Sequence, residues 1–459
     1  MKKEEHPKIK ELKHQARRKS IKEGMFAVGE SSFGSAYISP FAIAMNASDS
    51  LVAMFTSISG LVGPISQIFS SRLIEKYPRK QIVLKSVLTE SLTWIPIALL
   101  AFLFYKGIAV TFLPIILLIL YSTFVIIANI ASPAWFSWMG DLVDTKYRGR
   151  WFSKRNLITG FSSVVLALIA SVILEYFNRT NKIMYGFVTL FLLAFIFRYI
   201  SYQSFKTQYE PPIKLKKGYY FSFWNFLMNL NKTNFGKFTI FHFFYSFACA
   251  IASSLFAIYL LRTIGLGYTA YILVSYASTI FSLMVIGLWG KFADKYGNYK
   301  TILITSILTP LIPLFYILNS SIIYLISVPA LISGISWAGF NLASGNFIYD
   351  NVSKEKRGLV VSYYNMLNGI GIFLGAGLGA ILIRVVPNIY FESIVWIFLF
   401  GTLIRMIVVF FGLSNIIEVK KRKEFEGKNA IKDMIFKTGK QNLIEEAHQI
   451  MSIKRYLTE

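Results

Sequence analysis

The sequence has few of the residues that build water-soluble folds or reactive sites. Only 15 % of its 459 residues are charged, against about 25 % in soluble proteins. Its single cysteine, Cys249, cannot form an internal disulfide and supplies no cysteine cluster for zinc or an iron–sulfur centre. The four histidines are scattered and form no catalytic or metal-binding constellation. We therefore expect no metal, no cofactor and no enzymatic activity.

A phosphate-binding loop is also absent, because no Gly-x(4)-Gly-Lys-Ser/Thr run occurs, so ATP-driven pumping is unsupported. What the sequence has is apolar: 55 % of its residues are hydrophobic and 16 % are aromatic. Such a chain cannot cover a water-facing surface, which argues against a soluble enzyme, a disordered protein and a fibrous protein. Twelve long apolar runs predict membrane-spanning helices, at 24–46, 50–71, 82–105, 109–139, 155–177, 183–204, 236–261, 269–289, 299–318, 321–348, 362–384 and 388–414.

The basic residues predict the orientation. Of the 48 Lys and Arg, 41 lie in the tails and in alternate loops on one side. This is the positive-inside pattern of a multi-pass protein of the plasma membrane, with both termini cytoplasmic. The net charge of +25 therefore faces anionic lipid headgroups and not nucleic acid. The opposite side carries only Lys106, Arg179, Lys182, Arg262 and Arg384.

These patterns predict five segments, and we expect the protein to be a monomer. The N-terminal stretch is too charged for a signal peptide, and residues 8–22 are expected to form a basic amphipathic helix on the inner leaflet. The segments are a basic cytoplasmic N-terminal segment (1–23), an N-terminal six-helix bundle (24–204), a cytoplasmic linker loop (205–235), a C-terminal six-helix bundle (236–414) and a basic cytoplasmic tail (415–459).

Two internal repeats relate the bundles. The pattern Asp-x(6)-Arg-Gly-x(3)-Ser-x(2)-Asn begins at Asp141 and again at Asp350, 209 residues later. A second repeat pairs residues 72–80 with 291–299 and aligns Glu75 with Asp294. Two parallel six-helix halves predict a substrate site at their interface, near the bilayer midplane.

The second repeat carries a family resemblance. Residues 290–300 read GKFADKYGNYK, which resembles the G-x-L-A-D-R-x-G-R-K signature of the major facilitator superfamily. The N-terminal copy departs from it at Ser71 and Pro78, so its tight turn is in doubt. The resemblance covers the whole chain. It implies an all-α membrane protein with twelve transmembrane helices in two pseudo-symmetric halves, working as a secondary transporter.

The duplicated charges predict a cytoplasmic gate. The resemblance implies that Glu75 approaches Arg148 and that Asp294 approaches Arg357, which would latch the halves. The alternative is plain solvated loop charge, because exposed ion pairs contribute only ~0–1 kcal/mol. The gate candidates are Glu75, Arg79, Asp141, Arg148, Gly290, Asp294, Gly297, Asp350 and Arg357.

Glu30 is the proton-coupling candidate. It lies about two turns into the first predicted span, and helical spacing places Gly34 and Tyr37 on the same face. A carboxylate inside a span is costly and functional by default. The alternative is a structural role, as the partner of an arginine or as a side chain that reaches the interface. Glu90, Arg198, Arg405 and His242 are further polar residues inside spans, for which a structural role is the simpler reading.

Amides, hydroxyls and indoles on the helices that line the cavity in this superfamily suit a small, partly polar organic solute. The candidates that line the cavity are Gly34, Tyr37, Asn129, Ser132, Trp135, His242, Tyr245, Trp337, Asn341 and Ser344. The predicted function is alternating-access transport of such a solute, with proton coupling through Glu30. The alternatives are an uncoupled facilitator, an exporter of amphipathic compounds, or a membrane-embedded enzyme or receptor.

Overall fold

A computed structural model describes residues 7–143, 148–212, 222–353, 357–414 and 416–419. Helices make up nearly all of these ranges, and their only β-pairing is an isolated bridge between Ile389 and Phe391. The helices are α1 (Pro7–Phe33), α2 (Ile38–Ala44), α3 (Asp49–Lys76), α4 (Arg79–Tyr105), α5 (Leu113–Leu142), α6 (Arg148–Arg179), α7 (Ile183–Lys206), α8 (Phe223–Met228), α9 (Asn234–Ser253), α10 (Phe256–Ile258), α11 (Tyr268–Tyr296), α12 (Asn298–Leu308), α13 (Leu311–Leu318), α14 (Ile322–Ser327), α15 (Pro329–Asn351), α16 (Arg357–Val385) and α17 (Ser393–Gly412).

The predicted all-α membrane fold is confirmed. Within the described ranges, eleven helical segments are long and apolar enough to cross a membrane. They correspond to eleven of the twelve predicted apolar runs. The first predicted run, 24–46, is the one outside this set. It forms the end of α1, a short 3-10 turn over Ser35–Tyr37, and α2.

The first predicted boundary, between 23 and 24, is not a break in the structure. The helix α1 continues from Pro7 through this point to Phe33. Its basic part packs on neighbouring helix ends: Arg17 donates to the carbonyl of Leu142 at 3.0 Å, and Lys19 donates to that of Thr207 at 3.1 Å. Residues 7–23 are therefore part of the first long helix.

The chain divides into two compact units. Unit 1 is Met1–Leu51 with Val62–Gly218, and unit 2 is Val52–Leu61 with Tyr219–Glu459. In unit 1, α4 packs against α5 and α7, and α1 packs against α6 and α7. In unit 2, α9 packs against α16 and α17, and α15 packs against α11 and α12. The middle of α3 belongs to unit 2, where Ser57 donates to the carbonyl of Phe373 at 2.8 Å.

Prolines split two of the predicted spans. The run 299–318 is two helices, because Pro310 and Pro313 have no backbone N–H and leave the carbonyls of Ser306 and Thr309 without their helical donors. The Thr309 hydroxyl donates to the Ser306 carbonyl at 3.0 Å and replaces one of these bonds. The run 321–348 is likewise divided, with Pro329 in the first turn of α15, where a missing N–H is tolerated.

Candidate functional site

Unit 1 contains a buried network of acids and arginines. Glu23 and Glu90 are each 1 % exposed. Arg198 donates to Glu90 through Nε at 2.7 Å and also through Nη2. Glu23 accepts from Ser201 at 2.8 Å and from Arg155 at 3.4 Å. The network joins four helices of this unit: α1, α4, α6 and α7.

Glu30 lies beside this network. It is 6 % exposed and accepts a hydrogen bond from Ser35 at 3.1 Å. Arg198 interacts electrostatically with Glu30 as well as with Glu23 and Glu90. The three carboxylates therefore share two guanidiniums, those of Arg155 and Arg198, and the cluster carries one more negative than positive charge when every group is ionised.

A small cavity of about 220 Å³ opens next to the network. Two cavity candidates, Ser132 and Trp135, line it together with Glu23, Arg155 and Arg198. The Arg155 guanidinium lies over the Trp135 ring, 4.5 Å from its centroid. Glu30 is not among the lining residues of this cavity. The cavity thus gives a solute or water access to Glu23 and to both arginines.

The remaining candidates of unit 1 make packing contacts. Asn129 accepts from Gln67 at 2.8 Å and donates to the carbonyl of Val125 at 2.9 Å. Tyr37 is fully buried and donates to the carbonyl of Ala167 at 3.2 Å. Gly34 leaves room for an indole, because a Cβ there would lie 2.5 Å from the Trp94 ring. None of the three lines the small cavity.

Unit 2 holds a larger cavity of about 500 Å³. Four of its sequence-predicted candidates line it: His242, Tyr245, Trp337 and Asn341. The rings form one continuous wall, since the Phe340 centroid lies 4.6 Å from that of Tyr245 and 5.3 Å from that of His242. Ser344 is buried but lies outside the lining. The lining includes no carboxylate.

One charged side chain, Arg405, also lines this cavity although only 4 % of it is exposed. Among the described residues its guanidinium donates to three backbone carbonyls, at 3.4 Å for Ala248, 2.9 Å for Cys249 and 3.3 Å for Thr309. The Thr309 carbonyl is available because Pro313, four residues later, has no N–H. The arginine thus stabilises the break between α12 and α13 and brings a positive charge to the cavity.

The first gate cluster centres on Arg79, which is 1 % exposed. It donates to Asp141 at 2.6 Å and to Glu210 at 3.3 Å, forming two ion pairs. It also donates to the carbonyls of Ser137 at 2.8 Å and Pro211 at 2.9 Å. The start of α4, the end of α5 and the segment after α7 are thereby joined.

Unit 2 has a counterpart of the Arg79 cluster in which the side chain that donates to the aspartate is uncharged. Asn298, which occupies the position of Arg79 in the second repeat, donates to Asp350 at 2.9 Å. Glu418, 208 residues after Glu210, accepts from the backbone N–H of Tyr299 at 2.9 Å. The repeat therefore preserves the arrangement around each aspartate and changes the donor from a guanidinium to an amide.

Gly297 gives the second copy its own turn. Its φ of +104° is a conformation that side-chain-bearing residues rarely adopt, and a Cβ there would collide with Glu418. In the first copy Pro78 has a φ of −55° and a ψ of 137°, so that connection is extended. The departure from the signature at Pro78 thus corresponds to a different local backbone. Gly290, the first glycine of the signature, lies inside α11.

The expected latch pairs stay predictions. The side chains of Glu75, Arg148 and Arg357 lie outside the described residues. Asp294 is exposed near the end of α11. Among the described residues, Asp141 forms an ion pair with Arg79 and Asp350 accepts a hydrogen bond from Asn298.

Sequence reasoning missed four contributors to these sites: Glu23, Arg155, Glu210 and Glu418. Two of them could have been found from the repeat, because Glu210 and Glu418 are 208 residues apart, close to the repeat offset of 209. Glu23 and Arg155 looked like members of basic end segments. Only the continuation of α1 beyond residue 23 brings Glu23 into the packed helices.

Comparisons with known proteins agree on a transporter family. Residues 238–444 match the family model of the Major Facilitator Superfamily. The chain is also 29 % identical over 150 residues to an uncharacterised MFS-type transporter, YfiU, of Bacillus subtilis (strain 168). That match covers 32 % of this chain, and the chain spans 28 % of the length of the relative.

Solved transporter structures share the fold. A variant of the nucleoside transporter NupG superposes with a TM-score of 0.65 at 14 % identity, over 88 % of this chain and 100 % of that one. A bacterial homologue of the iron transporter ferroportin, in an inward-facing state, superposes with a TM-score of 0.63 at 14 % identity, over 87 % and 99 %. At these identities the likeness concerns the fold alone. The matches confirm the family resemblance that the sequence motifs predicted.

Proposed function

We propose that this chain, whose residues 238–444 match the family model of the Major Facilitator Superfamily and whose fold is shared with solved transporters, carries a small, partly polar organic solute across the plasma membrane by alternating access. We further propose that solute movement is coupled to protons through Glu30 and the acidic network around it. The observation that carries the coupling proposal is the charge balance of the network, in which three buried carboxylates face two guanidiniums.

One bound proton would make this cluster electrically neutral. Buried charge in a membrane protein is costly unless it is paired, so the excess carboxylate favours proton binding. One atom of the cluster is a clear acceptor for that proton, because the Oε1 of Glu90 is buried without a hydrogen-bond partner among the described residues. Because the groups interact, the proton is shared by the whole cluster. Glu30 is the most exposed of its three acids, at 6 % against 1 % for Glu23 and Glu90.

The experiment compares Glu30→Gln with the wild type in proteoliposomes. A ligand-stabilisation screen on the purified protein first supplies a transported solute. Uptake is then measured with an imposed pH gradient, and counterflow is measured without one. Glutamine keeps the shape of the side chain and removes the titrating group, so we expect loss of accumulation and retention of counterflow.

The matched control is Glu392→Gln. Glu392 is an exposed carboxylate that precedes α17 and makes no capping hydrogen bond with its side chain. This variant should accumulate solute as the wild type does. If Glu30→Gln accumulates solute against its gradient with the pH dependence of the wild type, Glu30 is not the coupling group.

The second candidate is an uncoupled facilitator. It is favoured by the ion pair between Glu90 and Arg198, which gives the network a purely structural use. This function requires that wild-type uptake follow the solute gradient alone, with no response to an imposed pH gradient. The same proteoliposome assay therefore separates the two candidates before any variant is made.

A further inference from the structure

The repeat offers an internal comparison of two arginines inside the helical units, one partly buried and one fully buried. Arg198 in α7 and Arg405 in α17 occupy corresponding places near the ends of the two six-helix halves. Arg198 is neutralised by its ion pair with Glu90. Arg405 forms no ion pair within the part of the chain that the structure describes, and its acceptors are three neutral carbonyls. The same position is thus compensated in one unit and uncompensated in the other.

The uncompensated charge lies at the wall of a cavity. The lining of the unit 2 cavity includes Arg405 and no acidic side chain, so its formal charge is positive. A guanidinium has five N–H donors, and three hydrogen bonds are formed here. About two donors are therefore left for a ligand in surroundings where a charged hydrogen bond is strong.

The rest of the lining is apolar or weakly polar. Aromatic rings of Tyr245, Phe256, Tyr316, Trp337 and Phe340 surround most of the space, and serine hydroxyls and the amide of Asn341 supply neutral polar contacts. A cation would be repelled, and a neutral solute would leave the buried guanidinium uncompensated. An organic anion with an apolar or aromatic body would neutralise the guanidinium and pack against the aromatic rings.

We propose that the solute is an organic anion whose carboxylate or phosphate binds Arg405 and whose apolar body lies against the aromatic wall of the unit 2 cavity. This assignment rests on the proposed transport function and names its substrate class. It concerns a small solute and not the headgroup of a membrane lipid, because the cavity is about 500 Å³, a volume typical of small-molecule sites.

The test measures equilibrium binding to the purified full-length protein in a neutral detergent. The probes are naphthoate, naphthyl phosphate and the neutral naphthamide, which share one aromatic body. We expect at least one of the two anions to bind about tenfold or more tightly than naphthamide, as a charge-assisted hydrogen bond implies. Wild-type protein that binds neither anion, or binds naphthamide as tightly, overturns the proposal.

Variants locate the anion. Arg405→Gln should abolish the preference for the anions, and Arg405→Lys should retain part of it because the charge stays. Arg384→Gln removes the same charge from an exposed position at the end of α16 and should change nothing. If Arg405→Gln fails to fold, Trp337→Ala provides the second arm: it should weaken naphthoate and naphthamide binding alike. An anion preference that persists in Arg405→Gln refutes the assignment.

A final arm separates small solutes from lipids. Dispersed phosphatidylglycerol should not displace naphthoate, and displacement would assign the charge to a lipid headgroup. None of these measurements involves a pH gradient or transport. If the wild-type protein shows proton-coupled uptake but no preference for the anions, only the anion assignment is refuted. If it binds the anions but its uptake does not respond to a pH gradient, only the coupling mechanism is refuted.

Discussion

At the residue scale, the same side chain has a different role depending on what it contacts. Arg198 and Arg405 are both arginines within apolar helices, and the sequence gives no means of telling them apart. Their hydrogen-bond acceptors distinguish them. The carboxylate of Glu90 neutralises Arg198, whereas the backbone carbonyls around Arg405 leave its charge uncompensated. Arg79 shows a third arrangement, in which two carboxylates and two carbonyls surround one guanidinium.

The ion pair between Glu90 and Arg198 should contribute to stability. Glu90→Ala removes the hydrogen-bonded partner of a guanidinium whose side chain is 14 % exposed. Breaking a buried pair costs up to ~3–5 kcal/mol, and Glu23 and Glu30 remain to offset part of the charge of Arg198. We expect a clearly lower midpoint of thermal unfolding for the detergent-solubilised protein, measured by size-exclusion chromatography after heating.

The control for this pair is Glu175→Ala. Glu175 pairs with Arg179 one turn away, but the Arg179 side chain is 79 % exposed, and such pairs contribute only ~0–1 kcal/mol. The unfolding midpoint of this variant should stay close to that of the wild type. Equal midpoints for the two alanine variants would show that the buried pair is not a stabilising contact.

At the element scale, breaks in helices create contacts that uninterrupted helices cannot make. Pro310 and Pro313 divide one predicted span, and the carbonyls that they leave without helical donors bind Thr309 and Arg405. The sequence shows the prolines, so the break could have been predicted from it. The donor to the Thr309 carbonyl, Arg405, lies 96 residues further along the chain and could not have been predicted, because that contact depends on how α17 packs.

The two glycines of the signature should respond differently to alanine. Gly297→Ala introduces a Cβ at a φ of +104° and against Glu418, so we expect a loss of about 1–3 kcal/mol of stability. Gly290→Ala places a Cβ 3.9 Å from its nearest neighbour, Leu342. Since Ala is favoured over Gly inside a helix by ~1 kcal/mol, this variant should be neutral or more stable.

Thermal unfolding of the two variants, measured side by side, checks this prediction. Both changes add one methyl group to the same signature, so hydrophobicity is matched. If Gly297→Ala unfolds at the temperature of the wild type, the left-handed turn is not a constraint on this loop.

At the scale of the whole molecule, the 209-residue repeat and the family match describe one architecture built twice. The two copies have diverged in charge: unit 1 holds the acidic network and the ion pairs of Arg79, and unit 2 holds the cavity with Arg405. This division motivates the proposal that protons bind in unit 1 and the solute in unit 2.

The orientation in the membrane has its own test. In a Cys249→Ala background, a cysteine replacing Asn181 should react with a membrane-impermeant maleimide added to intact cells. Asn181 is exposed between α6 and α7, on the side that the positive-inside rule assigns to the exterior. A cysteine replacing Ser452, which lies outside the described residues, should react only after the membrane is permeabilised. Labelling at Ser452→Cys in intact cells would contradict the predicted topology.

The sequence by itself determined the membrane class, the positions of eleven apolar spans, the repeat and the family resemblance, because apolar run length, charge asymmetry and local motifs are properties of neighbouring residues. It also identified Glu30, His242 and Trp337 as polar or aromatic residues within apolar helices. Only the tertiary structure decided their partners: Glu30 lies beside a network that Glu23 and Arg155 complete, and His242 and Trp337 share a cavity with Arg405. Pairing depends on which helix faces meet, and residues more than a hundred positions apart carry no local signal of it.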